Sequence, residues 1–152
     1  MFFKKTKIYS PAEGRLIPID EVNDAAFSTK MLGDGYAVCD YDGRVFSPVD
    51  GTIASIFPSK HAIVVQTKNG ENLLLHIGID TVGLDGNGFD LAVSAGDVVR
   101  QGDLLVTVDL ALLKEQGKDD VVIVLFPESK ELKFAMQSGA VTKDSHVLTI
   151  KQ

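Results

Sequence analysis

The chain has no tryptophan, one cysteine and five prolines among 152 residues. Cys39 alone cannot close an internal disulfide, so nothing in the sequence calls for an oxidising compartment. Basic charge is also in deficit: 15 Lys and Arg against 21 Asp and Glu leave a formal charge of −6. With no cationic surplus to neutralise phosphates, nucleic acid is an unsuitable partner, whereas a basic protein surface would be attracted. No apolar run is long enough to span a bilayer. The opening Met1-Phe2-Phe3-Lys4-Lys5-Thr6-Lys7 lacks both the apolar stretch and the small-residue cleavage site of a secretory signal, and reads as a solvated terminus. These absences predict a soluble, cytoplasmic protein.

What is present is a core's worth of apolar residues, 45% of the chain, enough for one independent domain. The expected organisation is a short extension over 1–8 and a single domain over 9–152. Short β-rich runs set apart by glycine and aspartate dominate: Tyr36 to Cys39, Gly51 to Phe57, Ala62 to Thr67, Leu73 to Ile79, Leu104 to Val108, Val121 to Phe126 and Val147 to Lys151. Their number and close spacing predict an all-β fold, an antiparallel β-sandwich or flattened barrel with short helical turns. Helical turns are expected over Leu110 to Gln116 and over Glu128 to Met136, bounded by Gly117 and Gly139.

Two local patterns recur. Ser10-Pro11-Ala12-Glu13-Gly14-Arg15-Leu16 and Ser47-Pro48-Val49-Asp50-Gly51-Thr52-Ile53 share Ser-Pro-x-acid-Gly-x-aliphatic, which reads as one turn used twice. Gly96-Asp97 returns six residues later as Gly102-Asp103. That spacing resembles the turns of lipoyl and biotinyl carriers, but no modifiable lysine signature accompanies it, so the segment reads as scaffold.

His61 and His76 lie on either side of an Asn69-Gly70 turn signal. Imidazole titrates near neutrality, so a pair of rings brought together suits proton, metal or phosphoryl chemistry. With Asn69-Gly70 as a two-residue turn, His76 faces Ile63 and His61 faces Gly78, and the imidazoles share one sheet face. Gly78 would then leave room above the backbone for a phosphoryl group, and continued extension would bring Asp80 to the same face. A three-residue loop, Lys68-Asn69-Gly70, would shift the register and put the histidines on opposite faces. Both turns fit the sequence. His146, beside Lys143-Asp144-Ser145, reads as a surface residue and Cys39 as a buried small side chain.

From about Tyr9 to Lys151 the chain resembles the glucose-type enzyme IIA components of the bacterial phosphoenolpyruvate-dependent sugar phosphotransferase system. The likeness is carried by Asp24-Ala25-Ala26-Phe27-Ser28-Thr29-Lys30-Met31-Leu32-Gly33-Asp34-Gly35, the Ser47 to Ile53 run, Phe57-Pro58-Ser59-Lys60-His61-Ala62 and Leu75-His76-Ile77-Gly78-Ile79-Asp80-Thr81-Val82, followed by Gly86-Asn87-Gly88-Phe89 and Val108-Asp109-Leu110. The resemblance implies that His76 accepts a phosphoryl group through Nε2 from the phosphocarrier HPr and passes it to a cysteine of a IIB domain. His61 would hydrogen-bond the phosphoryl oxygens, Ser59 would orient the histidine network and Asp80 would face HPr from the rim. Asp24, Phe27, Met31, Leu32, Phe57 and Val82 would form the docking surface. No cofactor is required, although His61 and His76 are also credible zinc ligands. The alternative reading is a mainly regulatory module that binds enzymes or permeases according to its phosphorylation state, and the resemblance also implies work at the inner face of the membrane through a IIBC partner.

Two departures stand out: Val122-Ile123 replaces the family's usual Thr-Pro, and Asp144 replaces a glycine. Both are expected to lie away from the histidines, bearing on the C-terminal strands and partner choice but not on the transfer site. The enzymatic rival is a zinc hydrolase of the lysostaphin kind, which needs a His-x-His motif that this chain does not contain.

Overall fold

The computed structural model describes residues 5–128 and 131–151. Fourteen strands run in chain order: β1 (Lys5–Tyr9), β2 (Gly14–Pro18), β3 (Asp34–Cys39), β4 (Arg44–Phe46), β5 (Gly51–Ile56), β6 (Ala62–Thr67), β7 (Asn72–Ile77), β8 (Phe89–Leu91), β9 (Val98–Val99), β10 (Leu104–Val108), β11 (Val122–Phe126), β12 (Glu131–Phe134), β13 (Gly139–Val141) and β14 (His146–Lys151). Among the described residues two short α-helices interrupt them, α1 (Ala25–Ser28) and α2 (Leu110–Glu115). Each helix starts on an aspartate: Asp24 accepts from the Ala26 amide at 2.9 Å and Asp109 from the Leu112 amide at 3.1 Å.

The strands form one eight-stranded sheet, ordered β13-β2-β3-β11-β7-β6-β5-β9, and two three-stranded sheets, β1-β14-β12 and β4-β10-β8. Their pairings are antiparallel. The large sheet ends at β13 and β9 instead of closing on itself, so the architecture is a sandwich and not a closed barrel.

Strand β11 shows how the layers stack. All five of its residues are buried, because alternate side chains enter different cores. Val122, Val124 and Phe126 point into the main core, with Ile63, Leu73, Leu75 and Ile77 of the same sheet and Ile8, Val106, Leu148 and Ile150 of the smaller ones. Ile123 and Leu125 point to the opposite face, into a smaller cluster completed by Ala37, Ile17, Ile19, Val22 and Phe27 of α1.

Helical turns were expected at two places, and α2 occupies the first. The second, Glu128 to Met136, is instead strand over β12, which pairs with β14 at Leu132↔Ile150 and Phe134↔Leu148. That segment reads Glu131-Leu132-Lys133-Phe134, alternation at period two, and pairing with β14 decides in favour of the strand. Residues 129 and 130 of the expected helix lie outside the described residues.

The repeated Ser-Pro motif is a reciprocal interlock. Tyr9 N donates to Pro48 O at 2.8 Å and Phe46 N to Pro11 O at 2.7 Å, so each copy binds the other at equivalent positions. Both serines are fully buried, and each hydroxyl turns onto the carbonyl two residues on: Ser10 Oγ to Ala12 O, 2.6 Å, and Ser47 Oγ to Val49 O, 2.7 Å. The Gly-Asp repeats are also matched turns. The Asp97 carboxylate accepts from Ser94 N and that of Asp103 from Arg100 N, both at 2.8 Å.

Candidate histidine site

His76 lies near the end of β7, flanked by Ala62 of β6 and Ile123 of β11. Hydrogen-bonded neighbours on both sides fix its backbone. Alternation along the sheet puts it on the outer face with Ile123, where Phe27 of α1 covers it, ring centroids 5.0 Å apart. The Val122-Ile123 departure is therefore not remote from the histidines: Ile123 is the cross-strand partner of His76. Sequence distance hid this, because β7 and β11 meet only in the folded sheet.

His61 reaches the same place by another route. The hairpin between β6 and β7 adopts the three-residue loop Lys68-Asn69-Gly70, with Thr67 N donating to Glu71 O at 2.8 Å and Gly70 at φ +92°. His76 consequently faces Ala62, not Ile63, and the amide of Ile77, not Gly78, meets the His61 carbonyl, at 2.7 Å. That register alone predicts opposite faces for the two rings. They nevertheless meet edge to face, centroids 5.1 Å apart and planes 81° apart. The reason is that His61 precedes β6: Phe57 N bonds Ala62 O across the loop, and Lys60 is left-handed at φ 62°. A side chain outside the ladder is not bound by strand alternation. Phe57 stands edge-on to His61 at 5.6 Å, so Phe57, His61, His76 and Phe27 form a continuous row of rings.

The rings are held in a desolvated setting. His61 is 6% exposed and His76 half-buried. Burial lowers the pKa of His61 below the usual imidazole range. For His76 burial, reinforced by repulsion from His61, lowers it to about 4, while the Gly78 backbone and the Asp24 carboxylate pull weakly the other way. His76 is thus neutral at physiological pH, with a lone pair available. In each ring Nδ1 is buried without a hydrogen-bond partner of ordinary geometry among the described residues, even though the Gly78 backbone is near enough to act on His76.

The remaining expected residues are distributed around this centre. Asp24 caps α1 and acts electrostatically on His76. Phe27, expected on the docking surface, is buried against His76 at 5% exposure, because α1 brings it into the outer-face cluster with Ile123 and Ala37. Met31, Leu32, Phe57 and Val82 are exposed large apolar side chains, Met31 at 76%. Ser59 is half-buried in the His61 loop. Asp80 is exposed, but the extended chain ends at Ile77: Gly78 has φ +80° and Asp80 is left-handed, so a turn positions this carboxylate. Nor does Gly78 leave open space. A Cβ there would overlap Thr81 Cγ2 and lie 2.7 Å from the Asp119 carbonyl oxygen. Thr81 itself, fully buried, is a participant for which the sequence offered only its place in the motif.

His146 and Cys39 are both only half-buried. The former packs on Tyr9 and places Nε2 3.0 Å from Leu148 O and Thr149 Oγ1; the latter sits beside Arg15 and Asp40. Among the described residues no group of three histidine, cysteine or carboxylate side chains is arranged to hold a metal, and no helix is long and apolar enough to cross a membrane.

The sandwich fold of this chain recurs in known proteins. A solved structure of the glucose permease IIA of Mycoplasma capricolum superposes with a TM-score of 0.87 at 40% identity, covering 98% of this chain and 99% of that one. The glucose-specific EIIA component of Halalkalibacterium halodurans is 42% identical over 147 residues, 95% of this chain and 85% of the relative. The glucosamine-specific EIICBA component of Bacillus subtilis is 42% identical over 127 residues, 84% of this chain but 20% of that longer protein. Residues 6–132 match the family model for the phosphoenolpyruvate-dependent sugar phosphotransferase system, EIIA 1, a span that holds both histidines, and the chain belongs to that family.

Proposed function

We propose that His76 carries a phosphoryl group, taken from the phosphohistidine of HPr and handed to a IIB cysteine. The observation behind this reading is a neutral, desolvated imidazole packed edge to face with a second one in a chain of the EIIA family. Phosphoryl transfer between positioned groups needs little beyond alignment and charge stabilisation. The His76 lone pair attacks phosphorus as the N–P bond to HPr breaks, and the electron pair of that bond returns to the HPr imidazole. His61 then stands beside the new phosphoryl oxygens, where the added negative charge favours its protonated, donating form. With Nδ1 of His76 buried, Nε2 is the attacking nitrogen.

Exposed Met31, Leu32, Phe57 and Val82 supply an apolar docking surface, and the net charge of −6 suits a basic donor. Docking to a membrane-bound permease would bring this protein to the inner membrane face. Zinc at His61 and His76 would need further ligands from a partner, and no transfer step requires it. Relatives equally identical to this chain are named for glucose and for glucosamine, which supports placing sugar choice in the permease rather than here.

The test is incubation with phosphoenolpyruvate, enzyme I and HPr, then mapping of the acid-labile phosphate. Label is expected on His76; label confined to His61, or none, would refute the reading. His76→Ala should abolish acceptance, whereas His61→Ala should still accept phosphate but lose onward transfer to IIB.

A further inference from the structure

Ile77, the residue after His76, uses both faces of its peptide at the site. Its amide donates to His61 O at 2.7 Å, and its carbonyl accepts from Thr81 Oγ1 at 2.6 Å. One residue therefore links the backbone of the supporting histidine to a buried hydroxyl four positions on.

The surroundings leave this hydroxyl little freedom. Thr81 is fully buried, and its methyl fills the space that a side chain at Gly78 would occupy. The same turn is pinned by the segment just before β11, with Gly78 N donating to Val121 O at 2.7 Å and Ile79 N to Asp119 O at 3.1 Å. Its two left-turning residues, Gly78 and Asp80, bend the chain away from the sheet directly after His76. The network terminates at Thr81, whose side chain supplies a donor to the Ile77 carbonyl where the strand ends.

Resting on the assignment of His76 as phosphoryl acceptor, we propose that Thr81 is a positioning residue: its hydroxyl holds the Ile77 peptide so that His61 and His76 keep their edge-to-face separation. It touches neither imidazole nor phosphate. Its effect passes through Ile77 N–H to His61 and through the chain to His76. A buried carbonyl that loses its donor relaxes toward water or another partner, and displacements of this kind are magnified in transfer reactions that depend on alignment.

Thr81→Val keeps the shape and the γ-methyl while removing the donor; Thr81→Ser keeps the donor. Phosphoryl acceptance at saturating phospho-HPr should fall by about tenfold in the valine variant, with KM for HPr unchanged, and return to within about twofold of wild type in the serine variant. NMR titration should show the His76 pKa moving toward the ordinary imidazole value in Thr81→Val and not in Thr81→Ser. Should the valine variant fail to fold, the serine variant alone decides: matching wild type in rate and His76 titration supports the role, and a tenfold loss overturns it. A valine variant that melts earlier but transfers at wild-type rate with unchanged His76 titration shows a purely structural threonine and overturns the proposal, leaving His76 as acceptor. Wild-type protein that takes no label on His76 overturns the acceptor assignment and this role together.

Discussion

His76 owes its protonation state to its neighbours. Phe27 covers one side, Ile123 and Ala62 flank it, and His61 adds repulsion against a second proton. Its pKa near 4 leaves phosphoryl acceptance level from neutrality down to about pH 5, with a fall as the ring protonates below that. A His76 ring-proton resonance titrating near 6.5 would contradict this environment. The same shift governs stability. Between about pH 6.5, where imidazole titrates in the unfolded chain, and about 4, the unfolded state holds a proton that the native ring refuses. Stability should therefore drop as pH falls through that window, by on the order of 3 kcal/mol from this group, and level off on either side. Comparing denaturant midpoints of wild type and His76→Gln across the window isolates the contribution. Sequence made the histidines conspicuous, but not their depressed pKa, since neither Phe27 nor Ile123 is near His76 in the chain.

At the scale of elements, the ends of the β6–β7 hairpin obey different rules. The loop end is open: a Cβ at Gly70 would meet nothing within 4 Å, so Gly70→Ala should cost only the left-handed conformation, about 1 kcal/mol. The histidine end is crowded. Gly78→Ala combines φ +80° with overlap onto Thr81 and the Asp119 carbonyl, and about 3 kcal/mol or more is expected. Urea unfolding of both variants tests the contrast, and equal losses would show that Gly78 lacks the predicted packing role. The Asn69-Gly70 signal located this hairpin correctly but did not select its register. Contacts from β1 do that: the Glu71 carboxylate accepts from Thr6 Oγ1 at 2.9 Å as well as from Thr67 Oγ1, and Asn69 Nδ2 donates to Thr6 Oγ1 at 2.9 Å. The bonds to Thr6 reach more than sixty residues back along the chain, beyond any local reading of turn chemistry.

Across the whole molecule, the large sheet gives protection a direction. Strands β3, β11 and β7 have a paired neighbour on each side and buried faces, whereas β13 and β9 form its edges. Amide exchange should be slowest in the central three, where opening approaches global unfolding, and fast at the edges. Uniform protection across the sheet would argue against this gradient. The pairing of β1 with β14 brings the two ends of the described chain together, so folding needs contacts distant in sequence and belongs to the slow, millisecond-to-second regime. The sequence by itself determined an all-β, antiparallel protein, most strand positions, the family and the two histidines, because alternation, turn residues and ordered motifs are local. Tertiary structure alone decided the hairpin register, the strand over 131–134, the burial of Phe27, the place of Ile123 beside His76 and the convergence of the rings. Each depends on which distant strand satisfies a backbone or fills a face, and that is settled only when the sheets assemble.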